Sequence, residues 1–258
     1  MNKTILITGA TSGFGKAIAY LFAKHQYNII ITGRREERLL EVKRELESDY
    51  KIQVLSLAFD VRDKEAVKKA IASLDGKVET IDILVNNAGL ASGLSTIDEG
   101  DTDDWDVMID TNVKGLLYVT KQVLPFMKKQ GGGHIINIGS TAGKIAYKNG
   151  NVYCATKFAV DALNQSMRID LLPYGIKVTA VNPGMAETEF SLVRFKGDKE
   201  RAEKVYNDLQ PLTAEDIANT VYYCATLPKH VCINDLTITC TNQANAIYTL
   251  RDKEKFGV

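Results

Sequence analysis

Tyr153-Cys154-Ala155-Thr156-Lys157 sets a phenol and an amine four residues apart, about one turn of a helix, so both can face a single cleft. A phenol has a reference pKa of ~10 and is a poor base near neutrality. A neighbouring ammonium favours the phenolate. A lowering of about 2–3 units corresponds to roughly 3–4 kcal/mol and makes proton exchange with an alcohol feasible. Tyr-x-x-x-Lys alone is a weak pattern, because many amphipathic helices carry it by chance. Ser140, thirteen residues before Tyr153, and Asn112 offer further polar groups to the same chemistry. The plain alternatives are a core aromatic for Tyr153, a loop residue for Ser140 and a helix-bend residue for Asn112.

A second set suits an anion. Thr8-Gly9-Ala10-Thr11-Ser12-Gly13-Phe14-Gly15 follows a β-branched run and leads into Lys16-Ala17-Ile18-Ala19. Glycines there let the backbone turn tightly and approach a pyrophosphate, which then meets the free N–H groups and positive dipole end of the helix. A nucleoside-triphosphate loop does not fit: five residues separate Gly9 from Gly15-Lys16 where that loop has four, and Ala17 stands in place of Ser or Thr. At the end of the second strand of a dinucleotide fold, a carboxylate would bond the ribose 2′-hydroxyl. Here the chain reads Ile31-Thr32-Gly33-Arg34-Arg35, and two guanidiniums without an acid suit a 2′-phosphate and hence NADP. Otherwise Arg34 and Arg35 are solvated charges partnered by Glu36 and Glu37. Asp60-Val61, after the third strand, is placed to meet the adenine edge, unless Asp60 caps the next helix.

Between these sets, in order, come Asn86-Asn87-Ala88-Gly89, Asn112-Val113-Lys114-Gly115 and Gly139-Ser140. Together they make the chain resemble the short-chain dehydrogenase/reductase family over nearly its whole length. The resemblance implies a catalytic set of Asn112, Ser140, Tyr153 and Lys157. In that set Tyr153 is the acid/base, Ser140 bonds the substrate oxygen, Lys157 also holds the nicotinamide ribose, and Asn112 anchors a water of the proton relay. The positive nicotinamide of an oxidised cofactor would add to Lys157 in favouring phenolate. Besides Arg34, Arg35, Asp60 and Val61, it implies cofactor contacts from Gly9, Ser12, Gly13, Phe14 and Gly15, and from Asn87, Ala88 and Gly89. Tyr153 and Lys157 join them, as do Pro183, Gly184, Ala186 and Thr188 of Asn182-Pro183-Gly184-Met185-Ala186-Glu187-Thr188. Ala186 is smaller than the β-branched residue often found at that point. A homotetramer is implied as well.

Glu189-Phe190-Ser191-Leu192-Val193-Arg194-Phe195-Lys196-Gly197-Asp198 is similar to a narrower subgroup, the NADP-dependent 3-hydroxy acid dehydrogenases that also oxidise serine and allo-threonine. Weaker similarity extends to Thr213 to Ile217 and Thr241-Asn242-Gln243-Ala244. Such substrates require a carboxylate clamp. Arg194, in an expected substrate lid at 185–210, is the candidate, because guanidinium meets carboxylate bidentately. The other reading pairs Arg194 with Glu189 or Asp198. A carbonyl reductase for uncharged ketones or acyl-carrier substrates is a second enzyme reading. For an acidic carrier, however, Lys196, Lys199, Arg201 and Lys204 are diluted by Asp198, Glu200 and Glu203. A nicotinamide-sensing binding protein without catalysis is opposed by the intact catalytic set, and a sugar-nucleotide epimerase lacks obvious room for a larger substrate domain.

The elements that must position these groups read as crossover units feeding a parallel sheet. Strands are expected at Thr4 to Thr8, Asn28 to Thr32, Gln53 to Leu57, Ile81 to Asn86, His134 to Ile138, Lys177 to Val181 and Asp235 to Thr239. Helices are expected at Gly15 to Lys24, Glu36 to Ser48, Lys64 to Ser73, Asp103 to Lys129 with a possible break, Val152 to Leu172 and Ala214 to Ala225, the last opened by a capping box at Thr213 and Asp216. The fold class is therefore α/β: one Rossmann-type doubly wound domain over 1–258, with seven parallel strands and helices on both faces. Gly197 to Asn207 reads as a polar excursion.

Composition narrows the partners. Lys plus Arg and Asp plus Glu balance at 32 each, which gives no global attraction to nucleic acid or anionic membrane and leaves small molecules as substrates. His25, His134 and His230 are too scattered for a metal site or a hydrolase triad. Four cysteines without a Cys-x-x-Cys pair suit a reducing cytoplasm, and Cys154 is expected to pack away from Tyr153. The apolar runs are far shorter than the ~20 residues of a membrane span, and the run after Lys3 does not make a leader, so neither insertion nor export is expected.

Overall fold

A computed structural model describes residues 2–252 and 255. The β-branched runs form β1 (Thr4–Thr8), β2 (Asn28–Gly33), β3 (Val54–Ala58), β4 (Ile83–Asn86), β5 (Gly133–Ile138), β6 (Ile176–Pro183) and β7 (Asp235–Ile238). They lie side by side in the order β3-β2-β1-β4-β5-β6-β7, every neighbouring pair parallel. Between them run α1 (Gly13–Lys24), α2 (Glu36–Tyr50), α3 (Lys64–Ala72), α4 (Thr102–Ile109), α5 (Leu116–Lys129), α6 (Asn151–Leu171), α7 (Phe190–Arg194), α8 (Lys199–Lys204) and α9 (Ala214–Thr226).

Parallel strands covered on both faces must be apolar at successive positions, and the period-two alternation sorts them into two cores. Ile5, Ile7, Ile29, Ile31, Ile83 and Val85 pack beneath α1, α2 and α9, whereas Leu6, Ile30 and Leu84 pack beneath α3, α5 and α6. Strand order reverses between β1 and β4, which opens a crevice at the carboxyl ends there. β6 runs two residues past the expected Val181, because Asn182 and Pro183 still pair with Thr237 and Ile238 of β7.

The break expected between Asp103 and Lys129 is a π-helical turn, Asp110–Gly115, joining α4 to α5. Val61 packs against that turn so closely that a Cβ on Gly115 would come within 2.7 Å of its side chain. The capping box of α9 is present, with Thr213 and Asp216 each bonding the other's backbone N–H. The polar excursion after Gly197 contains a helix of its own, α8, because Asp198 accepts from the Arg201 N–H at 3.1 Å and caps it. Cys154, Cys224, Cys232 and Cys240 are all free thiols, and no helix among the described residues is long and apolar enough to cross a membrane.

Candidate active site

α6 carries Tyr153 and Lys157 on one buried face, 8% and 7% exposed. The Lys157 Nζ donates to the Ile138 carbonyl at the end of β5 (2.9 Å) and lies 5.9 Å from the centre of the Tyr153 ring. Ser140 follows β5 directly. Its Oγ accepts from the Ala142 N–H (3.1 Å), and its side chain is hydrogen-bonded to Tyr153. Close packing fixes this turn against α6: a Cβ on Gly143 would sit 2.6 Å from the Lys157 carbonyl oxygen. Cys154 is buried and packs in the small apolar cluster that also holds Tyr153, Ala91, Met108 and Ala142.

Burial adds an effect that the spacing does not carry. Burial drives the Tyr153 phenol well above its ordinary value, and the nearby Tyr147 adds to this. The Ser140 hydrogen bond and the Arg194 charge oppose it without winning. Burial also pulls the Lys157 ammonium down to about 8. Spacing predicts an ammonium beside the phenol but not the loss of water around both groups, and desolvation penalises each charged form.

Asn112 lies at the helix bend. It sits in the π-helical turn outside the cleft wall, with its amide nitrogen donating to the Leu90 carbonyl (2.8 Å) and Thr156 Oγ1 (3.0 Å). Its Oδ1 accepts from the Leu90 N–H (2.8 Å), so the side chain ties the turn to the loop after β4 and to α6.

The cleft measures about 620 Å³ and runs from Arg34, Arg35 and Asp60 past the glycine loop to Tyr153. Gly9 and Gly13 take the positive φ values of +68° and +51° that favour glycine. The missing side chain of Gly15 lets α1 approach the Gly9 carbonyl and the Asn87 amide. Ser12, Gly13 and Phe14 do line it, as do Asn87, Ala88 and Gly89 and, across the cleft, Pro183, Gly184, Ala186 and Thr188. Thr8 Oγ1 accepts from the N–H groups of both Asn87 (3.0 Å) and Ala88 (2.9 Å), clamping β1 to the end of β4 at the strand-order reversal.

These residues fit a dinucleotide. α1 begins at Gly13 with no side-chain cap and no acid in its first turn, whereas α3 is capped by Asp63. Its N–H groups therefore remain available to an anion. Asp60 is not the α3 cap; it is held as a carboxylate by Arg62 (2.7 Å) and lies 3.9 Å from Arg34. Arg35 is not partnered by Glu36 or Glu37. It donates to Thr11 Oγ1 (2.7 Å) and Ser12 Oγ (3.1 Å) and pairs with Glu189 (3.3 Å), which also pairs with Arg38 (3.2 Å). Arg38, one turn beyond Arg35 on α2, was legible only as an i,i+3 spacing; its distant partner was not.

Arg194 ends α7 and turns inward. Its Nε donates to the Gly93 carbonyl (3.3 Å), and its guanidinium carbon lies 5.5 Å and 5.7 Å from the ring centres of Tyr147 and Tyr153. It forms no ion pair with Glu189 or Asp198 among the described residues. Tyr147, which the sequence did not single out, lines the cleft and is hydrogen-bonded to Arg194. After β7 the chain returns to the segment that follows β6: Gln243 accepts from the Met185 N–H (2.7 Å) and Arg251 donates to the Val205 carbonyl (3.0 Å).

A family model described as short chain dehydrogenase matches residues 3–199. An NADP-dependent 3-hydroxy acid dehydrogenase of Salmonella typhi is 48% identical over 94% of this chain and 96% of its own length. A sulfoacetaldehyde reductase of Chromohalobacter salexigens is 46% identical over 95% of this chain and 96% of its own. Among solved structures, the closed form of a serine dehydrogenase complexed with NADP+ matches with a TM-score of 0.89 at 46% identity, covering 96% of this chain and 99% of that one.

Proposed function

The chain belongs to the short chain dehydrogenase family, and from that premise we propose how its residues divide the work of an NADP-dependent oxidoreductase. The enzyme moves a hydride between the nicotinamide and the hydroxyl-bearing carbon of 3-hydroxy acids, serine and allo-threonine among them. The observation that carries our assignment is that one cleft is lined by Tyr153, Ser140 and Lys157 together with the inward-turned guanidinium of Arg194.

Gly9, Ser12, Gly13 and Phe14 would cradle the pyrophosphate, Arg34 and Arg35 the 2′-phosphate, and Asp60 and Val61 the adenine edge. Asn87, Ala88, Gly89, Pro183, Gly184, Ala186 and Thr188 would line the remainder of the cofactor's course, with Gly15 acting only through packing. Bound NADP supplies the hydride donor or acceptor and, when oxidised, a positive charge beside the phenol. Tyr153 donates its proton to the carbonyl oxygen during reduction and takes it back during oxidation, while Ser140 holds that oxygen. Lys157 contributes its charge to the phenolate and its ammonium hydrogens to the ribose. Asn112 uses both amide hydrogens within the chain, so we assign a relay water to its oxygen or backbone.

We read 185–210 as the lid of a single catalytic domain, with Arg194 clamping the substrate carboxylate. A sulfonate is the second anion we assign to that clamp, favoured by the sulfoacetaldehyde reductase relative. We further propose a cytoplasmic enzyme, from its cysteine usage, and a homotetramer, from the family resemblance. The test compares Arg194→Met with the parent on 3-hydroxy acids and their methyl esters, using NADP and NAD. We expect KM for the acids to rise about tenfold or more, with the esters little changed, since one charge-assisted contact is worth roughly 1.5–3 kcal/mol. Equal losses on both substrates would remove the clamp; absence of any turnover would remove the catalytic reading.

A further inference from the structure

Glu189 stands where the cofactor end of the cleft meets the lid, and both of its oxygens are taken. Oε2 accepts from Arg35 at 3.3 Å and Oε1 from Arg38 at 3.2 Å, and the carboxylate is also hydrogen-bonded to Ser12. The other Nη of Arg35 reaches Thr11 and Ser12, so two guanidiniums and a hydroxyl of the glycine loop converge on a single carboxylate. These are donor types that suit a phosphate. Glu189 is not part of the loop or of α2: it immediately precedes α7, 154 residues from Arg35. The next residue, Phe190, stands edge-on to Tyr153 with ring centres 5.6 Å apart, and Arg194 at the far end of α7 holds Gly93.

We infer that Glu189 is a cofactor-discriminating residue, an internal anion seated on Arg35 and Arg38 that yields to the 2′-phosphate of NADP(H) and to nothing that NAD(H) carries. This rests on the reading of Arg35 as a 2′-phosphate contact. A phosphate monoester brings nearly twice the charge of a carboxylate and three acceptor oxygens, whereas a ribose 2′-hydroxyl brings no charge to displace one. The pairs are half-exposed, with side-chain exposures of 44–48%, and exposed pairs are weak enough to exchange. Because Glu189 begins the segment that carries Phe190 and Arg194, loss of its seat at the adenosine end frees the lid at the reacting end. The 2′-phosphate is thereby sensed by the groups that meet the substrate.

The experiment measures binding, not turnover. Dissociation constants of NADPH and NADH are determined by nucleotide fluorescence for the parent, Glu189→Gln and Arg35→Gln at one ionic strength, with hydrogen exchange of residues 187–194 in the free proteins. We expect Glu189→Gln to tighten NADPH about two- to tenfold, the range that exposed ion pairs support, to leave NADH unchanged, and to speed exchange in the lid. Weaker NADPH binding by Glu189→Gln, or an equal change for both nucleotides, overturns the inference. Arg35→Gln separates the two readings. If it spares NADPH, the 2′-phosphate assignment fails and this inference with it; if it weakens NADPH alone while Glu189→Gln changes nothing, only the role of Glu189 fails.

Discussion

In the role we propose for it, Tyr153 starts protonated, because burial favours its neutral form. Burial holds its proton, and Ser140 and Arg194 stand close enough to ease its release when charge arrives beside it. Reduction therefore finds the proton in place on a weakened acid, and both directions depend on positive charge arriving beside the phenol. Removing the hydroxyl isolates this step: Tyr153→Phe should bind NADPH as the parent does and lose about a thousandfold or more in kcat, the upper part of the range for general acid catalysis. Turnover within a few-fold of the parent would dismiss the role. The pairing of Tyr153 with Lys157 was readable from a four-residue spacing, because a helix converts spacing into a shared face. Their charge states were not, because they depend on burial and on the Ser140 hydrogen bond and the Tyr147 and Arg194 charges, which come from elsewhere in the chain. The same holds for the partner of Arg35, an acid 154 residues away.

Elements were legible where apolar periodicity was strong, as in β1, whose bounds the β-branched run fixes, and illegible where a few polar contacts decide. α8 depends on one capping aspartate; the break before α5 was expected, but its π-helical form, with Asn112 bonded across it and Val61 pressed against Gly115, was not. β5 carries a further element-scale consequence in His134, 3% exposed, whose Nε2 lies 2.7 Å from Thr179 Oγ1 of β6. Burial lowers its pKa from 6.5 to about 3, with the Lys177 charge adding to the effect. Because the unfolded chain then binds the proton more readily than the folded one, stability is fully present above pH 6.5 and is lost as pH falls towards 3. Between pH 7 and pH 5 the loss from this one group is about 2 kcal/mol. Urea unfolding of the parent and His134→Asn at both pH values checks this: the parent should lose that much more than the variant, and identical slopes would refute it.

At the scale of the whole molecule, the family match ends at residue 199, so the cleft residues from Gly9 to Arg194 lie inside it while α9, β7 and the residues after β7 lie beyond. On α6, Ile169 and Phe158 are 75% and 43% exposed, and Leu172, just past its end, is 76% exposed. Apolar groups presented this way are suited to a neighbouring subunit. If the chain is the homotetramer we propose, Ile169→Asp should shift its light-scattering mass from four chains to fewer while leaving its circular dichroism intact. A mass of four chains in the variant would move the interface elsewhere. The sheet order has one more consequence. β1 to β4 all lie within the first 86 residues, but Arg35 waits for Glu189 and Gly93 for Arg194, contacts separated by 154 and 101 positions. Contacts so distant along the chain form late. A nascent polypeptide leaving the ribosome thus carries the glycine loop, Arg34 and Arg35 long before the segment we propose as the substrate clamp has been synthesised.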